Sequence, residues 1–197
     1  MKYTKIPTTT FENLQLNAGI LTKTFVPSTG AVDESAIIGA TSGGVNFTAT
    51  PSFSDSGEDI DNCPKNMMEL KKLDEWEITI SGTFTSATTS LIKSLIGPAD
   101  IDGTDTTKIV PRNVLETADF SDLWWVGDYS DKNGTTNGGY MAIHLMNALS
   151  TGGFQIQSGD KAKGQMAFTY TSHFSNASPD TVPFEVYLKA GIAEPAT

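Results

Sequence analysis

The chain has 197 residues, a formal net charge of −10, only 18% charged side chains and a single cysteine, Cys63. The length suffices for one domain with a full core, the acidic balance argues against a surface that grips phosphate, and one cysteine excludes an intrachain disulfide and a structural zinc set. No apolar run approaches the ~20 residues of a membrane-spanning helix, and abundant Thr, Ser and Gly among scattered aromatics predict a mainly β chain.

The first residues lack the charged, apolar and small-residue succession of a secretory signal, which places synthesis in a cytoplasm. Residues 1–19 carry Phe11, Leu14 and Leu16 without a sustained period and read as an N-terminal arm not packed within its own domain. Residues 20–191 read as a single domain and 192–197 as a loose C-terminal tail. Ile20 to Val26 is an irregular strand ended by Pro27 and the turn residues Ser28, Thr29 and Gly30.

Two long alternating strands follow. In the first, Val45, Phe47, Ala49 and Phe53 share one parity; in the second, Trp76, Ile78, Ile80 and Phe84 do the same. Each is a half-buried strand, and their apolar faces can share a core. The stretch from Ser56 to Asp74 reads as a long insert between them. It follows Asp55 with Glu58, Asp59 and Asp61, then Pro64, which with Asn62 or Asp61 as cap suits the start of a short helix bearing Met67, Met68 and Leu70.

After the second strand, Thr88, Thr89 or Ser90 can cap a helix in which Leu91, Ile92, Leu95 and Ile96 form one stripe, stopped by Gly97 and Pro98. It is expected to plug one side or end of the β core. Further strands are predicted at residues 123–129, 140–149, 154–157, 165–174 and 181–189. The 140–149 strand is apolar on both parities and therefore expected to be buried on both faces. Seven to nine strands make a sandwich or barrel.

No residue set points to a reaction. Asp100 to Asp105 and the Asp-rich run near Asp131 both fail the register of a calcium loop, and their turn-forming residues are explained by local hydrogen bonding. Cys63, His144 and His173 lie in no nucleophile setting, and neither a phosphate-binding glycine loop nor any cofactor motif is present. Adjacent Trp124 and Trp125 must face opposite ways in a strand, so one can be core while the other stacks on a sugar ring or fills an interface.

The runs 39–84, KIVPRN, DLWWVGDYSDKNG, NALSTGGFQIQSGDKAKGQ and TVPFEVYLKAG together resemble the major tail (tail tube) proteins of long non-contractile-tailed bacteriophages of Gram-positive hosts. The resemblance covers roughly residues 38 to 191. It implies a non-enzymatic virion subunit with a β-sandwich-like fold, one or two short helices and no cofactor or metal. Such subunits form homohexameric rings stacked around a tape-measure protein, meet tail terminator and tail-tip proteins, and leave a lumen through which viral DNA passes without sequence-specific binding. The implied location is the virion tail, with no membrane partner. On this reading Asp55, Glu58, Asp59, Asp61, Lys65, Lys71 and Lys72 are the candidate assembly or lumen surface, because the carboxylates repel one another unless a neighbouring subunit supplies cations. The alternative is a glycan- or receptor-binding β-sandwich module with an exposed tryptophan as its platform.

Overall fold

The longest alternating stretches of the sequence form its longest strands. The computed structural model describes residues 5–7, 9–129 and 138–191. Within these, the chain runs through β1 (Gln15–Thr22), β2 (Phe25–Val26), β3 (Ala31–Val32), β4 (Thr41–Asp55), β5 (Lys71–Phe84), α1 (Thr89–Ile96), β6 (Ala99–Ile101), β7 (Ile109–Pro111), β8 (Ser121–Tyr129), β9 (Gly139–Ser150), β10 (Met166–Thr171) and β11 (Phe184–Lys189). Seven of these strands make one curled antiparallel sheet in the order β1-β8-β9-β10-β5-β4, with β11 also paired to β9.

β9 is where the sheet forks. One edge bonds β8; on the other, residues 140–145 pair with β11 and residues 149–150 with β10. The handover is made at Asn147, which adopts φ 49°, a left-handed conformation that a short polar side chain tolerates better than a bulky one. The irregularity switches the parity of the strand. Met141, Ile143 and Leu145 face the core before it, and Ala148 does so after it. The Asn147 amide holds the corner by donating to the His173 carbonyl at 3.1 Å and, from its backbone, to Asp122 at 3.2 Å.

Inside the curl, Leu21, Ile80, Phe84, Leu123, Trp125, Ile143, Leu145, Phe168 and Tyr170 form the main core. Helix α1 closes it with Leu91 and Leu95, as the stripe predicts. Thr88 supplies the N-cap by accepting the Leu91 N–H at 3.1 Å, and the Ser150 hydroxyl donates to the Leu95 carbonyl at 2.9 Å near the other end. On the outer face of β8 and β9 a second cluster forms under the small β2–β3 hairpin, where Phe25 covers Trp124 and Ala142. β9 is therefore buried on both faces, as expected.

Several expectations are corrected. The stretch read as an arm overlaps the sheet: β1 begins at Gln15 and pairs with β8, and Trp125 Nε1 donates to the Ala18 carbonyl at 3.0 Å. Its period is masked by a bulge between Leu16 and Ile20, where Gly19 takes φ 68° and lies so near β8 that a Cβ there would be 2.6 Å from the Trp125 ring. Residues 154–157 are not a strand; only Gln157 bridges, to Gln165, and Phe154 and Ile156 stay exposed. The strands number eleven among the described residues, more than expected because β2, β3, β6 and β7 are short pieces in two-stranded ribbons. The tail 192–197 lies outside the described residues.

Asn147→Val is expected to destabilise the fold more than Asn147→Gly, by about 1–2 kcal/mol, because only the β-branched residue resists the left-handed conformation. Denaturant unfolding of the two variants measures the difference. Equal midpoints and slopes would remove Asn147 as the conformational origin of the corner.

Candidate functional site

β4 and β5 pair from Thr41↔Phe84 to Asp55↔Lys71, with a bulge near Ser52. The insert is thus shorter than the sequence suggests, 56–70 rather than 56–74, and Lys71 and Lys72 lie on β5 opposite Asp55 and Ser54. No helix starts at Pro64. The loop is a series of turns in which Asn62 and Asn66 take positive φ, followed by a single 3-10 turn at Met68–Leu70, and neither Asp61 nor Asn62 serves as a helix cap.

Asp55 organises this loop. Its carboxylate accepts the Gly57 N–H at 2.9 Å and the Asn66 N–H at 2.8 Å, while Lys71 donates to the Asn66 side chain at 3.2 Å. These bonds, the Gly57 one foremost, hold the Asp55 carboxyl below its ordinary value, with Lys71 and Lys65 adding weaker attraction against partial desolvation. Asp55 is therefore a structural member of the turn. Glu58, Asp59 and Asp61 stand apart from it, exposed and without an ion pair among the described residues. Lys65 and Lys72 are exposed beside them. Cys63 turns its Sγ towards the Pro64 carbonyl and the Met67 sulfur, at 3.7 and 3.5 Å.

Sequence reasoning missed the apolar half of this region. Phe53 and Leu73 form a cross-strand pair on the hairpin and remain 53% and 46% exposed. The cover ends just before them: Phe47 and Trp76 rest on Phe184 of β11, with ring centroids 5.8 and 5.7 Å away. On β11 itself, Val186 and Leu188 pair with Ile143 and Met141 and so share their core-facing side, yet both are exposed. Their apolar parity was visible in the sequence; the end of their cover was not.

The other candidates resolve into structural roles. Trp124 and Trp125 face opposite ways and are each only 8% exposed, so neither offers a platform to a sugar. Trp124 stacks on His144 at 3.9 Å between ring centroids. His144 has Asp122 at 3.3 Å and Glu185 at 3.6 Å, although neither contact is aligned as a hydrogen bond. His173 meets the Phe120 ring edge-on, so neither histidine is held against Cys63. Asp102 and Asp105 accept nearby N–H groups, those of Thr104 and Asp105 on the first and of Thr107 on the second, as turn residues do.

An ion cluster not foreseen from sequence lies beyond α1: Arg112 contacts Asp100 at 2.7 Å, Glu116 at 3.1 Å and the buried Asp119 at 2.5 Å, tying β6 and β7 to the turn before β8. Among the described residues, no three His, Cys, Asp or Glu side chains are placed to hold a metal ion. The Asp-rich run around Asp131 falls mostly outside them. Nor is any helix among them long and apolar enough to cross a membrane. No family model matches the chain, and no curated protein matches its sequence.

The Asp55 turn has a defined pH dependence. A carboxyl that ionises more readily when folded contributes fully above the ordinary value of 3.8 and loses its contribution as pH falls through its lower folded value. The protection of the Gly57 and Asn66 amides, taken relative to the intrinsic exchange rate at each pH, should therefore hold down to about pH 4 and fall only below it. Asp55→Ala should abolish that protection at neutral pH. Unchanged exchange in the variant would show that the turn holds without the carboxylate.

Proposed function

We propose that the chain is a structural subunit that self-assembles into stacked hexameric rings, the tail tube of a long non-contractile-tailed bacteriophage of a Gram-positive host. The observation that carries this reading is an apolar layer larger than the subunit's own cover. Phe53 and Leu73 on the hairpin, and Val186 and Leu188 on β11, continue the core-facing rows of covered residues into solvent. Together with the outer edges of β4 and β11, and of β1 short of its bridge from Thr22 to Ile37, which have no strand partner among the described residues, they favour further copies as the missing cover. Curling of the sheet fits a sandwich-like tube subunit, and repeated heterologous contacts of one surface with another close rings.

Charge placement fits a conduit. The outward face of β4 and β5 presents Asn46, Thr48, Thr50 and Ser52 opposite Ser81, Thr79, Glu77 and Glu75. Along this row the carboxylates repel DNA phosphates and the hydroxyls and the Asn46 amide offer only neutral hydrogen bonds, with Lys72 opposite Ser54 the cation at its loop end, so such a wall would hold a passing genome weakly. A tape-measure protein inside and terminator and tip proteins at the ends complete the proposed assembly. This role requires no reaction, cofactor or membrane. Microscopy of the purified chain at high concentration, alone and with the tape-measure protein, tests the reading: rings or tubes of uniform diameter are expected, and a strict monomer under both conditions would overturn it.

Phe53→Ser with Leu73→Ser should leave the monomer fold nearly unchanged, within about 1 kcal/mol, since exposed side chains contribute little to it. The same variant should fail to form rings or tubes. Light scattering and thermal melting on one preparation separate the two effects, and normal assembly would show that this apolar pair is not an interface.

A further inference from the structure

On the outer face of the sheet a histidine ring lies between two carboxylates that come from different strands. His144 of β9 pairs with Trp124 of β8 on one side and with Glu185 of β11 on the other. Its side chain is only 12% exposed, with Nε2 3.3 Å from Asp122 Oδ2 and Nδ1 3.6 Å from Glu185 Oε2. Both ring nitrogens are buried without an aligned hydrogen bond. The carboxylates are tied in turn: Asp122 accepts the Asn147 N–H at 3.2 Å, and Glu185 accepts the Tyr187 hydroxyl.

A neutral imidazole has one N–H and one lone pair, so between two acceptors one of its nitrogens faces a carboxylate with nothing to donate. An imidazolium donates from both. We propose that a proton on His144 fastens β11 to β8 across β9, which makes this bracket a pH-sensitive clasp within the sheet. The other groups on that face are engaged elsewhere. Tyr187 donates to Glu185, Asp128 accepts from the Asn17 side chain, and Lys189 lies over the Tyr140 ring two residue pairs further along β11. The β2–β3 hairpin contributes Phe25 and Val32, which carry no charge. Trp124, stacked on His144 with the planes 6° apart, attracts the charged ring further. Glu185 adjoins Phe184, whose ring points to the opposite face and rests on Phe47 and Trp76. The clasp therefore steadies the strand on which the β4–β5 limb leans. Since the bracket exists only in the folded chain, it stabilises on the acid side of the ordinary histidine range and fades as the pH rises through it; towards about pH 4 the carboxylates take up protons and it is lost again.

The clasp lies within one chain and stands whether or not the chain assembles. Thermal unfolding of the full chain at about pH 5.5 and about pH 7.5 tests it, with light scattering confirming the same assembly state throughout. His144→Gln keeps a donor and an acceptor but takes up no proton. The wild type should exceed this variant by about 3 °C more at the lower pH than at the higher. In a chain that carries Asp122→Asn and Glu185→Gln, His144→Gln should instead cost the same at both pH values. Amide protection along β11, relative to intrinsic exchange at each pH, should fall in His144→Gln at the lower pH only. A wild-type advantage that is equal at the two pH values, or an acid-side gain that survives the loss of both carboxylates, would overturn the clasp, and either comparison alone suffices if the other variant does not fold.

Discussion

The structure depends on β9 being hydrogen-bonded along both edges and covered on both faces. β9 bonds three strands, β8 along one edge and β11 then β10 along the other, changing partners across the left-handed residue Asn147. The apolar side chains on both parities follow from that position: Ile143 and Leu145 serve the inner core, and Ala142 lies under Phe25 on the outside. The change of partner at Asn147 lets β9 bond both β11 and, through β10, the limb that carries β5 and β4.

The second consequence of the fork is that the two limbs of the sheet do not match in extent. The β4–β5 hairpin runs on past its contact with Phe184 of β11, and Val186 and Leu188 of β11 are themselves exposed, so each limb leaves part of its core-facing row in solvent. A monomeric protein would ordinarily trim or polarise such residues, because contiguous exposed apolar surface invites association. Here they persist on strands whose edges are also open. The mismatch is the observation on which the proposed assembly rests.

The charged groups divide into those that finish local structure and those that do not. Asp55, Asp102 and Asp105 spend their lone pairs on nearby N–H groups, and Arg112 is occupied by three carboxylates. Glu58, Asp59 and Asp61 at one end of β5, and Lys161 and Lys163 at the other, have no comparable duty.

The sequence by itself determined which residues alternate in and out, the helix with its Leu91 and Leu95 stripe, and the two-sided burial of β9, because each is a matter of local period. It also showed that Asp102 and Asp105 are turn residues, since their partners are two or three positions away. Only the tertiary structure decided which apolar residues are covered. Phe47 and Phe53 share one strand and one parity, yet β11 lies against the first and not the second. Likewise both tryptophans are buried because β8 happens to be covered on both faces, and Lys71 and Lys72 belong to β5 because the ladder with Asp55 and Ser54 runs that far. The inner end of the supposed arm was hidden for a related reason: the bulge before Ile20 breaks the alternation that would have marked β1 as a strand. Periodicity reports the direction a side chain takes, whereas coverage depends on segments distant in the chain, which no local pattern records.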